Sequence, residues 1–168
     1  KNNASGKLIA EKKFSNKMSG FPTNAKDLQL MIDQLVYIAT DDQLSKIDNA
    51  KTIEDKQKKF IEFWKSKDPS PNTSKNELMI EYYRRIQTAN DRYSHFIDGW
   101  KTDMGMVFVI FGEPDNIERY PFQENTKPFE VWYYYNENKE FVFVDESGFG
   151  DYRLTTPIWD VDRHRIRN

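Results

Sequence analysis

Gly99-Trp100-Lys101-Thr102-Asp103-Met104-Gly105 is the stretch at which the apolar pattern of this chain changes period. Before it, Leu78, Tyr82, Ile86, Ala89, Tyr93 and Phe96 or Ile97 recur at steps of three and four, the stripe of a helix buried along one side. The glycine at 99 is the residue expected to end that helix. After it come Met106 to Phe111, Phe129 to Tyr135 and Glu140 to Asp145. These runs are short, rich in β-branched and aromatic residues and separated by Gly, Pro, Asn and Asp, so they read as strands. Asn136-Glu137-Asn138-Lys139 and Glu146-Ser147-Gly148 are too short to hold a crossover helix, so neighbouring strands are expected to be antiparallel. Tyr152 to Thr155 adds a last strand, and 163–168 a frayed tail.

Upstream of the stripe the helical pattern continues. Asn24 and Asp27 mark the start of a helix whose apolar positions are Leu28, Met31, Ile32, Leu35 and Ile38. A short helix over Gln43 to Ile47 follows, and Thr52 with Asp55 opens a third that runs to Ser66 on the face Ile53, Phe60, Ile61 and Trp64. Lysines 56, 58 and 59 form its solvated side. Asp68-Pro69-Ser70-Pro71-Asn72 forbids helix and acts as a rigid connector. Ser74 and Glu77 then match a capping box for the long helix. Helices that precede strands, rather than alternate with them, predict an α+β fold with N-terminal helices packed on one face of a C-terminal antiparallel sheet. The expected helical part is 24–98 and the sheet part 104–156. Twelve Phe, nine Tyr and four Trp suit the layer between helices and sheet.

Composition limits the function. The 168 residues carry 25 basic and 27 acidic side chains, for a formal charge of -2, with neither sign gathered into a block. No electrostatic case for nucleic acid follows. The longest apolar runs fall short of the roughly 20 residues of a spanning helix, so a soluble piece without membrane insertion is expected. The absence of Cys excludes disulfides and thiolate chemistry and agrees with an oxidising envelope compartment. A polar stretch from Lys1 leads into a lone strand-like segment, Leu8 to Phe14, so 1–20 reads as a strand and linker left from a preceding β-rich domain and 21–168 as the domain proper.

Two places invite chemistry. In the first, Trp100 offers a stacking ring, Thr102 and Asp103 offer polar groups, and Glu113 and Asp115 follow in the turn Gly112-Glu113-Pro114-Asp115. These five, with Trp132, are the candidate binding residues. The competing reading has Trp100 plugging the helix-sheet junction and Thr102 and Asp103 satisfying backbone donors. The second is Asp145 to Asp151, whose carboxylates suggest calcium but lack the spacing of a calcium loop, so a hairpin is expected. Arg84 and Arg85 lie beside the apolar stripe and call for an internal ion pair, with Glu77, Asp103 or Asp115 as the acid. The two histidines, His95 and His164, make no metal pair or triad, and no cofactor motif is present. No catalytic residue or metal ligand is therefore assigned. The expectation is a binding module; the alternative is a carboxylate-based or metal-assisted hydrolase built from Asp103, Glu113 or Asp115.

In order along the chain, Phe63-Trp64, Asp68-Pro69, Asn76-Glu77, Tyr83-Arg84-Arg85, Gly99-Trp100-Lys101-Thr102-Asp103, Gly112-Glu113-Pro114-Asp115, Val131-Trp132-Tyr133-Tyr134 and Gly148-Phe149-Gly150-Asp151-Tyr152 resemble the GWxTD domain family. The resemblance covers about residues 25 to 155. Met104 departs from the Arg that commonly follows the family's signature Asp. The likeness implies an exported bacterial protein of Bacteroidetes-like lineages, placed in the periplasm or on the outer-membrane surface, with no activity to carry over. A second likeness, to small outer-membrane assembly lipoproteins of the SmpA/OmlA type, implies a protein partner in the envelope. Carbohydrate is a further candidate ligand through Trp and Tyr stacking.

Overall fold

The computed structural model describes residues 24–121, 126–155 and 158. The segment Leu8 to Phe14, the linker assigned to 1–20 and the tail 163–168 lie outside the described residues. Helix α1 (Ala25–Asp33) starts at Asn24, whose side chain accepts from the Asp27 amide at 2.8 Å, and runs into a 3-10 turn, Gln34–Tyr37. Thr40 and Gln43 close a capping box on α2 (Asp41–Asp48), and Thr52 caps α3 (Ile53–Ser66). Helix α4 (Glu77–Tyr93) is the longest. Helix α5 (Asp103–Phe111) precedes the strands β1 (Asn116–Tyr120), β2 (Phe129–Tyr134), β3 (Lys139–Asp145) and β4 (Tyr152–Leu154). The sheet is antiparallel in the order β1-β2-β3-β4.

Several expectations need correction. Met106 to Phe111 is helix, not strand, so the sheet occupies 116–154 rather than starting at 104. The cause is burial on all sides: Val107, Phe108, Val109 and Ile110 are all buried, leaving no polar face from which a helical period could be read. The hydroxyl of Thr102 caps this helix. The long helix ends at Tyr93 instead of reaching Gly99, because Ser94 turns the chain to an extended conformation. Phe96 and Ile97 consequently leave the buried stripe and stand 91% and 46% exposed. Its cap is Asn76 rather than Ser74: the Asn76 side chain accepts from the Met79 amide at 2.9 Å and donates to the Trp64 carbonyl at 2.6 Å. One buried amide thereby starts α4 and ties it to the end of α3. On α3, Ile53 is exposed and Phe63 is buried in its place.

Pairing of Ile117 with Trp132, and of Trp132 with Phe141, puts these side chains on the helix-facing side of the sheet. Tyr93 of α4 meets Trp132 at 5.6 Å between ring centroids, and Phe111 of α5 meets Phe141 at 4.9 Å. The helices thus lie on one face. Away from the sheet, Trp64 lies against Tyr82 and Tyr83. The two phenols donate to the carbonyls of Gln34 and Met31, and burial pushes both well above the ordinary tyrosine range.

Candidate functional site

The signature stretch is a clasp made largely of backbone. A Cβ on Gly99 would sit 2.0 Å from the Ala89 carbonyl oxygen, and one on Gly105 would sit 1.8 Å from that of Gly99. Only glycine lets the 3-10 turn Gly99–Lys101 press against α4 on one side and α5 on the other. The Gly99 amide donates to the Ser94 hydroxyl at 2.7 Å, and the Trp100 amide to the Asn90 side chain at 3.2 Å. Thr102 donates its hydroxyl to the Gly99 carbonyl at 2.7 Å while accepting from the Gly105 amide at 3.0 Å. Asp103 accepts from the Leu154 amide at 2.8 Å, which fastens β4 to the start of α5.

Of the two candidate stacking rings, Trp100 is 6% exposed and packs edge-on against Tyr37, while Trp132 is 1% exposed. Asp115 accepts from the Tyr135 amide at 2.7 Å. Glu113 holds Arg92 through both carboxylate oxygens, at 2.7 and 2.8 Å. The acid that meets Arg84 and Arg85 is Glu81, not Glu77, Asp103 or Asp115; the spacing of one helical turn places it beside both guanidinium groups. Arg85 also donates to the carbonyls of Val109 and Ile110 at 3.3 and 3.2 Å, covering the C-terminal end of α5. Hydrogen bonds from Arg84 and then Arg85 outweigh burial and hold the Glu81 carboxyl at about 2.

Asp145 to Asp151 forms the β3-β4 hairpin loop. Asp145 accepts from the amides of Gly148 and Gly150 at 2.8 and 2.7 Å and from the Ser147 hydroxyl at 3.1 Å. Burial works against its charge, but these donors prevail and lower its pKa. Among the described residues, no group of three or more His, Asp or Glu side chains is placed to hold a metal ion.

Beside the clasp lies a cleft of about 410 Å³ that contains Thr102, Glu113 and Trp132 of the expected set but is walled mainly by other residues. Arg92 and Tyr93 at the end of α4 form one side, with His95 just beyond them. Arg119 of β1, Glu130 of β2 and Tyr152 of β4 form the other, on the helix-facing side of the sheet. Trp132, Ile117 and Met104 supply apolar lining. Arg119 donates through Nε to Glu130 at 3.0 Å, and Glu130 also accepts from the Trp132 indole at 3.0 Å. His95 faces the Asp151 carboxylate at 4.0 Å. Burial raises the Tyr93 phenol, with Arg92 pulling the other way and Glu113 and Glu130 adding to the rise. Burial followed by Glu130 and Asp145 raises Tyr152. Both phenols therefore remain protonated donors at neutral pH.

This cleft is not legible in the sequence, because Arg119 meets Glu130 only through the β1-β2 register, and no apolar run marks β1 as a strand. The Arg119–Glu130 pair directly across two strands is the one signal that a register prediction could have caught. The arrangement offers hydrogen-bond donors over an apolar floor, which suits recognition.

The sequence model of the GWxTD domain matches residues 4–155. No curated protein and no solved structure matches the chain. Since the match covers most of the sequence, the chain belongs to the GWxTD domain family.

Proposed function

We propose that this domain is a non-catalytic binding module of an exported cell-envelope protein, and that its partner, a protein, engages the cleft between the end of α4 and the sheet. The observation that carries the reading is the cleft itself: an opening of about 410 Å³ lined by Arg92, His95, Arg119 and Tyr152 over Trp132. The three acids that a hydrolase would use favour binding over hydrolysis. Asp103 and Asp115 each receive a backbone amide, and Glu113 is occupied by Arg92, which argues against any two of them serving as an acid-base pair. The indole faces of Trp100 and Trp132 are buried, which favours a protein partner over stacking on a sugar. In the chain, no helix among the described residues is long and apolar enough to cross a membrane.

The test is affinity purification of the full-length protein from its native envelope, run in parallel with Arg119→Glu. Reversing a charge on the cleft wall should remove partners that the wild-type chain retains. An unchanged partner list would place the binding surface elsewhere.

A further inference from the structure

Resting on the binding-module reading, the geometry points to a specific ligand class: we infer that the cleft receives the C-terminal carboxylate of a peptide whose last apolar side chains rest on Phe96 and Phe149.

The polar groups that face the cleft are unevenly committed. The two carboxylates of its walls are engaged, Glu113 by Arg92 and Glu130 by Arg119 and Trp132. Donors remain. Arg119 uses only Nε on Glu130, leaving the terminal nitrogens of its guanidinium without a described acceptor. The Tyr152 hydroxyl donates to no group among the described residues, although it lines the same opening. A wall with its acceptors occupied and its donors free recognises an acceptor, and the planar end of a guanidinium matches the two oxygens of a carboxylate. Capture of a chain-terminal carboxylate is an established mode of peptide recognition.

The rim supplies the second half of the argument. Phe96 and Phe149 are 91% and 90% exposed, and they sit on the two loops that contribute His95 and Gly150 to the cleft. His95 and Asp151 bring those loops together. Two large rings left in water on the loops that border one polar opening offer a contact surface for an apolar segment. Charge decides against a lipid headgroup surface or a nucleic acid. Lys101 pairs with Asp98, Lys127 with Glu146 and Arg153 with Asp151, so the cations around the loops are already neutralised. The volume accommodates a terminal residue or two rather than a folded element.

The probes are N-acetyl-Leu-Phe as free acid, the same dipeptide as carboxamide, and phenyl phosphate, titrated into the isotopically labelled chain and followed by amide chemical shifts. The free acid should shift the amides of His95, Arg119, Gly150 and Tyr152, and the carboxamide should bind at least about fivefold more weakly. Arg119→Gln, Tyr152→Phe and the pair Phe96→Ser with Phe149→Ser should each weaken the acid by about threefold or more, with thermal unfolding unchanged. Equal binding of acid and amide, no binding of either up to about 10 mM, or shifts elsewhere on the surface would overturn the inference. Tighter binding of phenyl phosphate than of the acid would overturn it in favour of a phosphate site. Should the peptides fail while Arg119→Glu still strips partners from the full-length protein, this inference falls and the binding-module reading stands. Should the acid bind at the cleft while the partner list is unchanged, the assignment of the protein partner to the cleft falls instead.

Discussion

The clasp from Gly99 to Gly112 and the cleft beside it share a wall, yet they use polar groups in opposite ways. In the clasp, side chains answer to backbone: Thr102 bridges Gly99 and Gly105, Asp103 takes the Leu154 amide, and Arg85 covers the carbonyls of Val109 and Ile110. In the cleft, side chains answer to one another, as Arg92 with Glu113 and Arg119 with Glu130. Backbone partners cannot move without moving an element, whereas exposed ion pairs exchange partners at little cost. The residues for which the family is named are thus engaged in holding the fold together, and the binding proposed for the cleft would fall mainly to residues that the signature omits. The way to break this comparison is to change each region and ask whether stability or recognition responds.

The largest effect should come from Gly105→Ala. Its added methyl would lie 1.8 Å from the Gly99 carbonyl oxygen, and that neighbour is backbone rather than the end of a flexible side chain. Helix α5 must separate from the 3-10 turn or the turn must leave α4, so a loss of about 3 kcal/mol or more is expected. Urea unfolding of the variant measures it. A loss below about 1 kcal/mol would show that the turn and helix are not locked together.

The same difference explains what could be read in advance. Helices α1 to α4 are legible because each keeps one wet face, and α1 and α3 also through their caps, Asn24 and Thr52; the caps of α2 and α4, Thr40 and Asn76, are not, Ser74 offering a competing cap for the latter. Helix α5 is not, since burial of Val107 to Ile110 on every side erases the period and leaves only β-branched and aromatic residues that imitate a strand. Strand β1 was hidden for the opposite reason: Asn116, Glu118 and Arg119 carry the polarity of an edge and leave no apolar run to mark a strand. The clasp could be found as a motif, and the competing reading of Thr102 and Asp103 as backbone partners matches their hydrogen bonds. The cleft could not, because His95 meets Asp151, and Arg119 meets Glu130, only after the loops and strands have been placed.

A smaller effect, lying between the two regions, belongs to Glu81. Arg84 and Arg85 depress its carboxyl from 4.5 to about 2, so the folded state holds the proton less readily than the unfolded chain. Stability from this group is complete above pH 4.5 and fades as pH falls towards 2, the direction required of a depressed acid. Because the pairs are partly exposed, screening reduces their worth to about 1 kcal/mol. Thermal unfolding from pH 6 down to about 2 should show Glu81→Gln converging on the wild-type chain at the acid end. A constant gap across that range would mean that Glu81 contributes by packing, not by charge.

The smallest stability effect should come from Arg119→Gln, and its smallness is what gives the comparison its edge. Arg119 is 62% exposed on its side chain, and its only described partner, Glu130, keeps the Trp132 indole as a donor when the guanidinium is gone. Exposed cross-strand pairs contribute a few tenths of a kcal/mol. Unfolding of the variant should therefore stay within about 0.5 kcal/mol of wild type, far below the change at Gly105. A loss of 2 kcal/mol or so would make Arg119 a structural residue like Arg85 and erase the distinction between clasp and cleft. An unchanged melting profile together with loss of ligand would instead assign the two neighbouring sets of polar groups to different tasks, one to holding α5 between α4 and β4, the other to what comes from outside.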